Sequence, residues 1–144
     1  MTPTAPVRFE DLAVGTEIPS LAKVVTRQDI LAYAEASGDH NPLHQDDPSA
    51  MAAGFPGIIG HGMFTMAHLV SCLVRWAGDP AALKRLRTAF RAPVYMGETI
   101  VAGGRVRSLD PSTHTALLEV WVTVERGGVT EWPIKRSEAE IRLG

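Results

Sequence analysis

Gly62-Met63-Phe64-Thr65-Met66-Ala67-His68-Leu69-Val70-Ser71-Cys72-Leu73-Val74-Arg75-Trp76-Ala77 carries the strongest helical pattern of the chain. Met63, Met66, Ala67, Val70, Leu73, Val74 and Ala77 recur at three- and four-residue spacing, the period of one helix face. Phe64, Leu69 and Cys72 make the stretch apolar nearly all round, which predicts a buried helix. Gly78-Asp79-Pro80 ends it. Toward the C-terminus the pattern changes to strands. Leu86 to Ala92, Thr99 to Leu109, Ala116 to Glu125 and Thr130 to Leu143 are bounded by Pro93-Val94-Tyr95-Met96-Gly97, Asp110-Pro111-Ser112 and Gly127-Gly128. Val120, Val122 and Val124 alternate with Trp121, Thr123 and Glu125, the period-2 signature of an antiparallel sheet with one covered face. One apolar helix followed by consecutive strands predicts an α+β fold, an antiparallel sheet wrapped around a long central helix.

Toward the N-terminus, Val7 to Pro19 reads as an extended start with a turn near Gly15. Thr26 is a candidate N-cap for a helix over Arg27 to Ala36, with Ile30, Leu31 and Ala34 on one face. Ser37 to Gly60 is irregular, interrupted by a short helical turn around Pro48 to Ala53. So long a connection inside a small domain is usually functional.

That connection opens with Ser37-Gly38-Asp39-His40-Asn41-Pro42-Leu43-His44. Gly38 supplies a turn, and Asn41-Pro42 biases the chain away from helix, so Asp39 and His44 are free to converge. An imidazole titrates near neutral pH and both accepts and donates a proton, while a carboxylate orients it or shares the work. Taken alone, such a pair is more often a turn Asp capping its own backbone beside a surface His. His40, His44, His61 and His68 lack the Cys/His spacing of structural zinc and the three-ligand pattern of catalytic zinc, so no metal is expected. His68, in the middle of the helix, is expected to be a satisfied core histidine. Asp46-Asp47-Pro48 reads as a solvated helix start, Met63 and Met66 as packing, and Cys72 as a small buried hydrophobe.

Gly38-Asp39-x-Asn41-Pro42-Leu43-His44 resembles the hydratase motif of the MaoC-like dehydratases, the (R)-specific enoyl-thioester hydratases. Gly60-His61-Gly62-Met63 resembles the family's entrance to its central helix, and Phe90-x-x-Pro93-Val94-x-x-Gly97-Glu98 the block after it. Val14-Gly15-Thr16 resembles its first hairpin. Arg27-Gln28-Asp29 and Gly78-Asp79-Pro80 are most similar to the catalytic subunits of mycobacterial-type (3R)-hydroxyacyl-carrier-protein dehydratases.

The resemblance implies a hot-dog fold and the interconversion of trans-2-enoyl and (R)-3-hydroxyacyl thioesters, of coenzyme A or of an acyl-carrier protein, in fatty-acid metabolism, without a cofactor. It gives Asp39 and His44 the handling of water and proton, and the Gly62 N–H the polarisation of the thioester carbonyl. Helix N-terminal N–H groups lack intrahelical partners, and a glycine there admits close approach. Asn41 either fixes the loop or orients the thioester, and His61 holds the loop against the helix start. Some short-chain members carry a Ser two turns into the central helix, where this chain has Val70 beside Ser71. Alternatives are a hot-dog thioesterase, whose motifs lack Gly-Asp-x-Asn-Pro-x-His, and a non-catalytic acyl-binding subunit of a heterodimeric dehydratase, which retention of Asp39 and His44 argues against.

Composition sets the outer limits. The 144 residues suit one domain, 1–144, able to bury a core, and 45% hydrophobic with 21% charged is ordinary for a globular protein. A net charge of -2 gives no case for nucleic acid. No run reaches the ~20 apolar residues of a membrane span, and Met1-Thr2-Pro3-Thr4-Ala5-Pro6 lacks the regions of a signal peptide. A single Cys72 fits a reducing, cytoplasmic setting. The strand around Ala102 to Arg107 and the segment after Ser37 are expected as uncovered edges, predicting a homodimer of about 31 kDa, twice 15.5 kDa, or a heterodimer with a related subunit.

Overall fold

Thr26 and Asp29 fix the first helix. Each side chain accepts from the other's backbone N–H, closing a capping box on α1, Arg27–Ser37. Gly38, at φ 77° in the left-handed region, ends it and turns the chain into the motif loop. The structure is a computed structural model that describes residues 7–144; Met1 to Pro6, on which the signal-peptide expectation rested, lie outside the described residues. Its further elements are β1 (Glu17–Val24), α2 (Asp47–Ala52), α3 (Gly62–Ala77), β2 (Leu83–Arg87), β3 (Thr99–Asp110), β4 (Thr115–Arg126) and β5 (Val129–Arg142). The strands form one five-stranded antiparallel sheet in the order β1-β3-β4-β5-β2. α3 packs against β1, β3, β4 and β5, so the sheet wraps the helix as the α+β hot-dog expectation required. Among the described residues, no helix is long and apolar enough to cross a membrane.

The core forms where the period-2 face of the sheet meets α3. Ala116, Leu118, Val120, Val122 and Val124 of β4 are buried in strict alternation, and the last four join Leu69 and Leu73 of the helix with Ile100, Ile134 and Ile141. The buried face of α3 is rotated from the expected one. Thr65, His68, Leu69, Cys72, Leu73 and Ala77 point inward, while Met63, Ala67, Ser71 and Arg75 form an outer stripe. His68 is tolerated inside because its Nε2 bonds the Leu21 carbonyl at 2.8 Å.

Three further expectations are corrected. The N-terminal strand runs on through Ser20 to Val24, and its register slips between Ile18 and Leu21, around Pro19. β2 begins at Leu83 and its ladder stops at Arg87. Beyond it, Arg136 of β5 is left-handed (φ 54°), and the chain is held instead by Ala89 N–H on Ser137 Oγ (3.0 Å) and Arg91 N–H on the Pro133 carbonyl (2.8 Å). Ala102 to Arg107 is not an edge: β3 lies between β1 and β4, and the edges are β1 and β2.

Candidate active site

The motif loop is built from local turns. Asp39 N–H donates to Ser37 Oγ, Asn41 N–H to Asp39 Oδ1 at 3.2 Å, and Leu43 N–H to Asn41 Oδ1 at 3.1 Å, starting a short 3-10 turn over Pro42–His44. The Asn41 side chain therefore holds the loop, and it lines neither of the cavities described below. The far side is sewn by long-range bonds. Ile59 N–H donates to the Leu43 carbonyl, Gly60 N–H to that of Val94, and Asp47 Oδ1 accepts from Ile58 N–H.

This frame places His44 Nδ1 2.7 Å from the Ile59 carbonyl. A carbonyl only accepts, so Nδ1 carries a proton, and in the neutral ring Nε2 presents a lone pair. Nε2 lies 4.0 Å from Asp39 Oδ2, with the imidazole nearly buried and the carboxylate half exposed. One water bonds comfortably to two acceptors at that separation. His61, the residue before α3, stacks on His44 with centroids 3.9 Å apart and planes at 26°. Its Nε2–H donates to the backbone carbonyl of Asp39 at 3.0 Å, tying the motif loop to the helix start. Tyr33 of α1 packs against His61 at a tilt, with centroids 4.9 Å apart, and its ring meets Phe64 edge-on.

Asp39, His44 and His61 each offer one ligand atom within 4.8 Å of the others. Lone pairs of an imidazole lie in its ring plane, and two nearly parallel stacked rings cannot aim theirs at the common centre that tetrahedral zinc requires. The arrangement suits a shared water better than a shared ion.

Gly62 is the first residue of α3, where the N–H has no partner within the helix. Two cavities meet at it. One, of about 360 Å³, is lined by His44, Phe55, Ile59, Thr65, Val94 and Pro133 among others. The other, of about 250 Å³, is lined by Tyr33, Ser37, Asp39, His61 and Met63. Gly62 and Phe90 line both. Asp39, His44, His61 and Gly62 are thus assembled at one helix end, while Asn41 stays in the supporting loop. Tyr33, the Ile59 carbonyl and Phe90 were not legible as site components. Tyr33 sits in a polar helix, and the other two arrive through contacts spanning many residues.

Residues 11–126 match the family model of the MaoC like domain. The chain is 37% identical over 113 residues to a 3-hydroxybutyryl-CoA dehydratase of Methylorubrum extorquens, covering 76% of this chain and 70% of that protein. It is 32% identical over 117 residues to an (R)-specific enoyl-CoA hydratase of Rhodospirillum rubrum, covering 81% of each. A solved MaoC-like dehydratase superposes with a TM-score of 0.87 at 34% identity, over 99% of this chain but 43% of that longer one.

Proposed function

The chain belongs to the MaoC-like dehydratase family, as an enzyme interconverting trans-2-enoyl and (R)-3-hydroxyacyl thioesters, and from that premise we propose how its residues divide the work. The observation that carries the proposal is the His44 Nε2 lone pair 4.0 Å from Asp39 Oδ2, beside the first N–H of α3. Asp39 and His44 hold one water, and one of them takes its proton as the oxygen adds to the β-carbon. The Gly62 N–H and the α3 dipole stabilise the negative charge that gathers on the thioester oxygen. That same proton is passed from the pair to the α-carbon while the other stays on the new β-hydroxyl, and dehydration runs the steps backward. His61 and Asn41 position the loop. The thioester is that of coenzyme A or of a carrier protein.

The working unit is a homodimer of one-domain chains, about 31 kDa from twice 15.5 kDa. Support comes from the two sheet edges and from apolar groups left in solvent, Met63 at 53% and Val24 at 50% exposure. A cytoplasmic location belongs to the same proposal, resting on the single Cys72.

The test is loss of the ultraviolet absorbance of trans-2-butenoyl-CoA and of longer enoyl thioesters on addition of the purified protein, with a free-thiol assay alongside. Hydration without thiol release is the expected result, and thiol release without hydration would favour a thioesterase. Light scattering checks the dimer; an inactive monomer rescued by a co-expressed related subunit would replace the homodimer with a heterodimer.

A further inference from the structure

Gly62 is pressed from one side by an aromatic ring. A Cβ built on it would lie 3.4 to 3.7 Å from three atoms of Phe90, ordinary contact distance, so the ring walls the side-chain space of this glycine without filling it. The same ring borders both cavities, the one lined by His44 and the one lined by Asp39. Its backbone cannot retreat. Ala89 N–H is bonded to Ser137 Oγ, Phe90 pairs with Ile134 of β5, and Arg91 N–H is bonded to the Pro133 carbonyl. The bulge at left-handed Arg136 brings Ser137 to that position. Only rotation about the side-chain bonds remains, and 51% exposure leaves room for it on the solvent side.

Accepting the hydratase reading, the carbonyl oxygen sits at the Gly62 N–H and the β-carbon faces Asp39 and His44. The α-carbon lies between them, one bond from the carbonyl carbon. Any group on the α-carbon is therefore carried beside Gly62, against the Phe90 ring that walls that space. We propose that Phe90 is a specificity-determining wall that restricts the enzyme to thioesters unbranched at the α-carbon. A hydrogen there passes beneath the ring, and a methyl group requires the ring to swing out and open the site to water. One misplaced methyl in a tight pocket is worth roughly 10- to 200-fold in kcat/KM.

The experiment compares trans-2-butenoyl-CoA with its 2-methyl analogue in wild type, Phe90→Ala and Phe90→Leu. Wild type should prefer the unbranched substrate by at least about tenfold in kcat/KM, and Phe90→Ala should reduce that preference about tenfold or more, with Leu between them. Calorimetric binding of the saturated butanoyl- and 2-methylbutanoyl-CoA should shift in the same ratio, without needing turnover. A shifted binding ratio in a protein that hydrates nothing would sink the hydratase reading and leave the wall standing. Hydration with a preference unmoved in both variants, or no preference in wild type, overturns the wall. So does the failure of every acyl-CoA to bind.

Discussion

The 2.7 Å bond from His44 Nδ1 to the Ile59 carbonyl leaves Nε2 as the ring nitrogen open toward the site. With that proton fixed, Nε2 is the basic atom, and it faces Asp39. His44→Ala and Asp39→Asn should each lower kcat by ~10² to 10⁴, the usual worth of a positioned acid or base. Asp39→Asn should leave the thermal transition nearly unchanged, since that carboxylate is 51% exposed. Steady-state hydration rates beside melting curves check both, and a variant keeping more than about a tenth of wild-type turnover would remove its residue from the mechanism.

Two substitutions at Gly62 separate the donor from the space. Gly62→Ala keeps the N–H and brings a methyl 3.4 Å from the exposed Phe90 ring, which has freedom to give way. Gly62→Pro removes the N–H at a helix position where proline is tolerated. The proline variant should lose ~3 kcal/mol of transition-state stabilisation, and the alanine variant clearly less. Equal losses in two folded variants would show that crowding, rather than the donor, matters here.

Glu98 and Arg126 lock the hairpin that lines the site. Arg126 bonds both Glu98 oxygens at 2.7 and 2.8 Å, reaches the Pro93 carbonyl, and lies over the Tyr95 ring. Burial pushes the Glu98 carboxyl up, but the Arg126 bonds and the Tyr95 N–H outweigh it and hold the group below its ordinary 4.5. A folded-state value below the unfolded one gives stability that is full above pH 4.5 and drains away as the pH falls through the folded value. Melting temperatures of wild type and Glu98→Gln should therefore differ most near neutral pH and converge as the pH falls progressively below 4.5. A constant gap across that range would refute the linkage.

Gly103 faces Trp121 across the β3–β4 ladder, and a Cβ there would come within 2.7 Å of the indole nitrogen. Trp132 meets the indole edge-on and Arg105 lies over it, so a shift of the ring disturbs both contacts. Gly103→Ala should cost about 1 to 3 kcal/mol, the typical range for overpacking, read from chemical denaturation.

What was legible in the chain follows from how periodic each element is. β4 alternates without exception, and its strand assignment held end to end within one residue of the sequence reading. The end of β1 was missed because an edge strand with only Ile18 buried has no alternation to show, and Pro19 inside it reads as a breaker. The orientation of α3 was misjudged because apolar letters lie all round it. The polar Thr65 and His68 that mark the true inner face are explained only by contacts with distant residues, such as the Leu21 carbonyl. Asp39 and His44 stood out because a local motif carries them, whereas Phe90 reaches Gly62 only through the folded sheet.

Cys72 faces inward from α3 at 3% exposure, with its Sγ near the carbonyls of Pro19 and Ala102 and its thiol pushed up by burial. As the chain's single cysteine, it doubles as a clock. The sulfur sits at the wall of a cavity lined by Pro19, Leu21, Arg75 and Trp76, so a thiol reagent gains it when that cavity widens or the helix parts from the sheet. The rate of labelling in native buffer thus follows the opening of this region. Any acyl thioester that clasps the helix start to the Phe90 segment should slow that clock, giving a readout of substrate binding that requires no turnover.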